Sequence, residues 1–142
     1  MRLSKVRDYV RSVATDFNEW KDAFNRDNIP SSIKNKAYYC SYELSSNDDR
    51  GDYEENLLRV SIEVFFKGHK NAQEALDNAM DSVNILSLNL CSLASINAYR
   101  ATDDFPIQSV VRLSQVPSPI NTNDNQILIT LELEMKIIQT LC

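Results

Sequence analysis

Glycine is nearly absent: Gly51 and Gly68 are the only two in 142 residues. A G-x-G-x-x-G turn, a Walker A loop and a G-x-S-x-G elbow each need at least two glycines at fixed spacing, so the common nucleotide and hydrolase signatures are excluded. Histidine is scarcer still. His69 is the single one, and it sits among cations in Lys67-Gly68-His69-Lys70, which reads as a turn. Cysteine occurs three times, at Cys40, Cys91 and Cys142, without a C-x-x-C. With one histidine this cannot make a structural zinc set of the usual local spacing, and an odd count favours free thiols in a reducing compartment. Apolar runs of about 18 residues are lacking, so no helical membrane span is expected. The start, MRLSKVRDYV, is charged every few residues and holds no signal-peptide core, which points to cytosol or to exit by another route. Excess positive charge is missing too: 15 Lys+Arg against 20 Asp+Glu give −5. That is the wrong sign for holding nucleic acid by counterion release.

What is present suits one domain over residues 1–142, with 43% apolar residues available for a core. Leu3, Val6, Val10, Val13, Phe17, Trp20 and Phe24 recur at spacings of three and four, predicting one buried stripe on a helix over about 3–26, stopped near Pro30. Tyr38, Cys40, Tyr42 and Leu44 alternate with mixed neighbours, and Leu58, Val60, Ile62, Val64 and Phe66 alternate with Arg59, Ser61, Glu63 and Lys67. Both read as strands pairing in a hairpin, joined by a projecting acidic loop over about 45–56. Asn71 with Glu74 three residues on forms a capping-box-like start for a second helix over about 71–92, whose apolar face is Ala72, Ala75, Leu76, Ala79, Val83, Leu86 and Leu90. Strands fill about 96–141. Ile96 to Thr102 is the weakest, Ile107 to Val116 is better, and Ile127 to Ile137 has the cleanest alternation in the chain. The stretch Pro117 to Asn125 reads as a loop, because proline does not sit in a central strand. The fold class expected is α+β: two helices on one face of a mostly antiparallel sheet of four to five strands.

Chemistry is harder to find. Glu132 and Glu134 share a strand face and Asp103 adjoins Asp104, but no converging pocket residues accompany either pair. No catalytic set, cofactor site or metal site emerges, and a non-enzymatic role is expected. The most informative charge feature lies between Glu43 and Glu55. Six acids against Arg50 give −5 there, equal to the charge of the whole chain. Asp48, Asp49, Asp52, Glu54 and Glu55 lack the spacing of an EF-hand loop, so a solvated loop or an electrostatic role in an assembly are the readings left.

An opening amphipathic helix, the strand Arg59-Val-Ser-Ile-Glu-Val-Phe-Phe-Lys-Gly68, the helix start Asn71-Ala-Gln-Glu-Ala-Leu-Asp-Asn-Ala-Met80 and a closing pair of strands follow one another within this length. This plan resembles the tail terminator, or tail completion, proteins of long-tailed bacteriophages. The resemblance covers nearly the whole chain but is one of layout, without a motif to carry over residue by residue. It implies a structural subunit of the virion's head-tail joint, assembled in the host cytoplasm. Such a subunit forms a homo-hexameric ring that caps the head-proximal end of the tail tube, ends tube polymerisation and meets the head-tail connector protein. Its partners would be further copies of itself, the tail tube protein and the connector, with DNA passing through the channel unbound. On this reading Asp48, Asp49, Asp52, Glu54 and Glu55 are candidates to face the lumen. Arg59, Glu63, Glu132, Glu134, Lys136, Pro117 and Pro119 are candidates for a subunit or tube interface. Other phage neck or minor tail proteins share this layout, and a ferredoxin-like small-molecule-binding or regulatory domain would use the same element count.

Overall fold

The two best alternations in the chain form the centre of the sheet. Tyr53–Phe66 (β3) and Gln126–Thr140 (β5) pair antiparallel from Tyr53 opposite Thr140 to Phe66 opposite Ile127. Leu58, Val60, Ile62 and Val64 of β3 and Ile129, Leu131, Leu133, Met135 and Ile137 of β5 all turn to one side and are buried. Strand residues two apart share a face, so this register makes one continuous apolar layer. The computed structural model describes residues 3–20, 35–66, 71–103, 107–121 and 126–140.

Around that pair the remaining elements are Leu3–Val13 (α1), Asn18–Glu19 (β1), Ala37–Asp49 (β2), Ala72–Cys91 (α2), Leu93–Asp103 (α3) and Ile107–Asn121 (β4). The sheet order is β1-β2-β3-β5-β4, antiparallel except for the short β1–β2 pairing. The domain is thus α+β, with three helices among the described residues, one more than the sequence suggests, on a sheet of five described strands. α2 lies over β5 and β4 and touches both other helices. Asn71 caps α2 as its sequence promises, its side chain accepting from the N–H groups of Gln73 and Glu74. Ala75, Ala79, Val83, Leu86 and Leu90 bury the face toward the sheet, while Ala72, expected there, is exposed.

Three elements differ from their expected form. The first helix ends at Val13, not near residue 26. Val6, Tyr9, Val10 and Ala14 are buried as one stripe, then a turn carries the chain into β1, where the Asn18 and Trp20 N–H groups donate to the Lys36 and Tyr38 carbonyls. Phe17 and Trp20 keep the helical spacing by accident and serve different faces. Phe17 packs on the main core beside Tyr38, and Trp20 joins Ala37, Phe65 and Leu128 in a second cluster; Phe24 lies outside the described residues. The weak strand at Ile96 to Thr102 is the helix α3, set at 55° to α2. Ile96 and Tyr99 are buried three residues apart, and the Tyr99 hydroxyl donates to the Lys5 carbonyl at 2.6 Å. The expected loop from Pro117 is strand as far as Asn121. Proline is tolerated there because β4 is the last strand of the sheet among the described residues, where an outward N–H is not needed for the ladder.

The fourth difference matters most for function. The acidic stretch is a β-hairpin, with β2 continuing to Asp49 and β3 starting at Tyr53. Gly51 stands at φ 88°, the left-handed region open to glycine, and the Arg50 N–H donates to the Tyr53 carbonyl at 2.9 Å. Glycine first and aspartate second is the residue choice of a tight II′ hairpin turn.

Candidate functional site

All three helices lie on one side of the sheet, and among the described residues no helix covers the other. Five of the seven residues expected at an interface come together on this open face. Arg59 stands between Glu43 on β2 and Glu134 on β5, Ser61 is opposite Glu132, and Glu63 is opposite Thr130. Lys136 is opposite Leu57, on the same side. Pro117 and Pro119 are not part of that cluster; they lie in register with Ile129 and Ile127 on the edge strand.

The acids of the hairpin divide between two sides. Asp48 faces Glu55 in register on the open side, whereas Asp49 and Glu54 are paired on the helix side. Asp52 is in the turn itself. Counted by register among the described residues, the open face carries Glu43, Asp48, Glu55, Glu63, Glu132 and Glu134 against Arg59 and Lys136, a balance of −4. The five hairpin carboxylates therefore do not aim at one place, and a larger acidic surface extends beyond the hairpin.

Like charges placed opposite each other in a ladder repel, so each pair needs a counterweight. Arg50 supplies one, reaching Asp48 at 2.8 Å and Glu55 at 3.6 Å, and Lys136 reaches Glu55 at 3.0 Å. The hydrogen bond and charge of Lys136 hold the Glu55 carboxyl below its ordinary range, with Arg50 adding to the effect. On the helix side, the Glu54 carboxylate accepts from the Asn47 and Asn56 side-chain amides at 2.9 and 2.7 Å. Asn47 also donates to the Asn56 side-chain oxygen at 2.7 Å. Asn56 is fully buried, so this amide-carboxylate network replaces the apolar stripe where the hairpin runs on past Leu58.

Elsewhere, a hollow of about 300 Å³ opens between α1 and the β1–β2 edge, bordered by Arg7, Arg11, Glu19, Trp20, Tyr38 and Cys40. Both of its basic groups are engaged, Arg7 lying over the Tyr42 ring at 5.3 Å from its centroid. Arg11 donates to Glu19 at 2.6 and 3.1 Å and to Asp8 at 2.9 Å, which clasps the end of α1 to β1. Burial pushes the Cys40 thiol up to about 12, and a thiol with so little thiolate at neutral pH is a poor nucleophile. Cys40 and Cys91 are free thiols, and Cys142 and His69 lie outside the described residues. Among the described residues no three His, Cys, Asp or Glu side chains gather to hold a metal, and no single helix is long and apolar enough to cross a membrane.

Sequence reasoning missed the exposed apolar side chains of the sheet margins, Leu44 on β2 and Val111, Leu113 and Val116 on β4. Alternation tells which residues share a face, not whether anything covers it. Comparison with models of protein families and with curated proteins finds no match.

Proposed function

We propose that the chain is a structural subunit of a bacteriophage tail, a tail terminator that closes into a homo-hexameric ring on the head-proximal end of the tail tube. In this role it stops tube growth, offers the surface on which the head-tail connector docks, and does no covalent chemistry. The observation that supports this reading is the open sheet face with its balance of −4. A channel that passes DNA must not hold it, and a wall of carboxylates repels phosphate where a basic wall would bind it. The face bearing Glu43, Glu63, Glu132 and Glu134 then borders the channel, joined by Asp48 and Glu55 of the hairpin, and the helices turn outward. Arg59, Glu63, Glu132, Glu134 and Lys136 are thereby moved from subunit interface to channel wall. The ring belongs to the virion's head-tail joint and is built in the host cytoplasm.

The deciding measurement is mass. The full chain, alone and mixed with purified tail tubes, should give a species of several copies, with tubes capped at one end and no longer able to elongate. Tubes that lengthen as before in its presence, with the protein still at single-copy mass, would refute the proposal. In particles, Glu132→Lys with Glu134→Lys should leave ring assembly intact and slow DNA ejection.

A further inference from the structure

We propose that copies of this chain join edge to edge, the β4 edge of one against residues 40–49 of β2 in the next. The proposal rests on the ring reading above and says which surfaces close the ring. β1 pairs only with Ala37 and Tyr38, and β4 is the last strand on the opposite side. Among the described residues, neither edge carries a further strand beyond these.

Four observations converge on these two edges. The first is chemical complementarity. Residues 40–49 contain Glu43, Asp48 and Asp49 and no base, while β4 contains no acid and one base, Arg112, which lies on the helix side and donates to Asn84 at 2.9 Å and Gln115 at 3.3 Å. The second is exposed apolar surface at both margins: Leu44 is 48% exposed on β2, and Val111, Leu113 and Val116 are 54%, 42% and 53% exposed on β4. The third concerns guarding. Proteins commonly protect long edge strands with lysine, proline or bulges, and neither stretch contains a lysine. Pro117 and Pro119 remove two donors from the far part of β4 only. Within 107–116 bulges fall between Ile107 and Ser109 and between Arg112 and Ser114, and within 40–49 one falls between Leu44 and Ser46, which leaves the short regular segments on either side of them to pair. The fourth is direction. β2, β3, β5 and β4 are antiparallel in succession, so β4 runs opposite to β2. Copies related by rotation about an axis along the strands would bring β4 antiparallel to the next β2, the better-bonded arrangement. Because the two edges differ, the contact is head-to-tail and closes by rotation alone.

The test uses the full chain, alone and with tail tubes, followed by sedimentation and by amide hydrogen exchange. Wild-type assembly should slow exchange at least tenfold within 40–49 and 107–116 relative to the single copy. Val111→Asp with Val116→Asp adds acid to the β4 edge at exposed positions and should return the protein to single-copy mass at an unchanged melting temperature. Adding Glu43→Lys to that variant should restore part of the assembly. Rings of unchanged mass in the double variant, or assembled wild type whose two edges exchange as fast as in the single copy, would overturn edge pairing and leave the ring reading standing. Wild type that stays at single-copy mass even with tail tubes would overturn both. If the double variant does not fold, the exchange measurement on wild type decides.

Discussion

Leu131 and Glu132 are neighbours on β5, share the same backbone geometry, and live in different surroundings. Leu131 is fully buried under the helices, facing Ile62 across the ladder; Glu132 is partly exposed on the open side, facing Ser61. The same contrast holds along β3, between Val60 or Ile62 and Arg59 or Glu63. One face of this sheet carries the main core; the other contributes only the small cluster of Ala37, Phe65, Trp20 and Leu128 at one end, and its charged rows have little to do with folding. A face relieved of folding duty that still carries rows of carboxylates is the natural place to look for interaction, since charged side chains in rows raise a surface potential without needing to pack.

The comparison is broken most sharply by substituting those two neighbours. Leu131→Ala should cost about 2–5 kcal/mol, the lost transfer energy plus a cavity that the packed sheet and helices cannot fully close. Glu132→Ala should fall within about 0.5 kcal/mol of wild type, as for other surface changes. Denaturant melts of both variants check this, and similar losses in the two would mean that the open face is packed against something.

The next largest effect lies where the two regions meet. Asn56 is on the helix side by register yet takes part in a polar network with Asn47 and Glu54. Asn56→Ala should cost roughly 0.5–1.5 kcal/mol, because the buried amide's hydrogen bonds to half-buried Glu54 and exposed Asn47 are lost. The loss should appear as faster amide exchange in the hairpin rather than around Leu131. Uniform loosening of the whole sheet would show instead that the hairpin end is part of the main cooperative unit.

The same boundary explains what could be read from the sequence. Where helices cover the sheet, the alternation at 58–66 and 127–137 is forced by burial, and the order of elements and the inner face follow from it. Past Leu58 the hairpin is polar on both sides, as in Ser45 to Asp49 and Tyr53 to Asn56, so period-two hydrophobicity vanishes and the stretch reads as loop. The signal that does survive is local: Gly51-Asp52, a dipeptide suited to a two-residue hairpin turn. The end of α1 was obscured for the opposite reason, since Phe17 and Trp20 are apolar at helical spacing while packing on two different sheet faces. In α3 the cue was the spacing of Ile96 and Tyr99, hidden by the β-branched and polar residues around it. The polar row of the open face was visible as a row, but its lack of cover was not, because exposure depends on where the helices go.

The smallest predicted effect concerns the hairpin tip and sets two electrostatic terms against each other. Asp48 and Glu55 repel across the ladder, while Arg50 and Lys136 attract Glu55. If attraction wins, the Glu55 carboxyl is held below its ordinary range, as its position beside Lys136 implies. A group depressed in this way contributes order that is fully present above its unfolded range, near 4.5, and is lost as pH falls through the lower folded value. Protection of the amides in residues 50–53, corrected for intrinsic exchange, should therefore drop as the pH falls through and below 4.5, and Glu55→Gln should flatten that dependence. Because these groups are exposed and screened, the drop should also shrink at high salt. Rising protection on acidification would mean that relief of the Asp48–Glu55 repulsion outweighs the loss of the Lys136 pair.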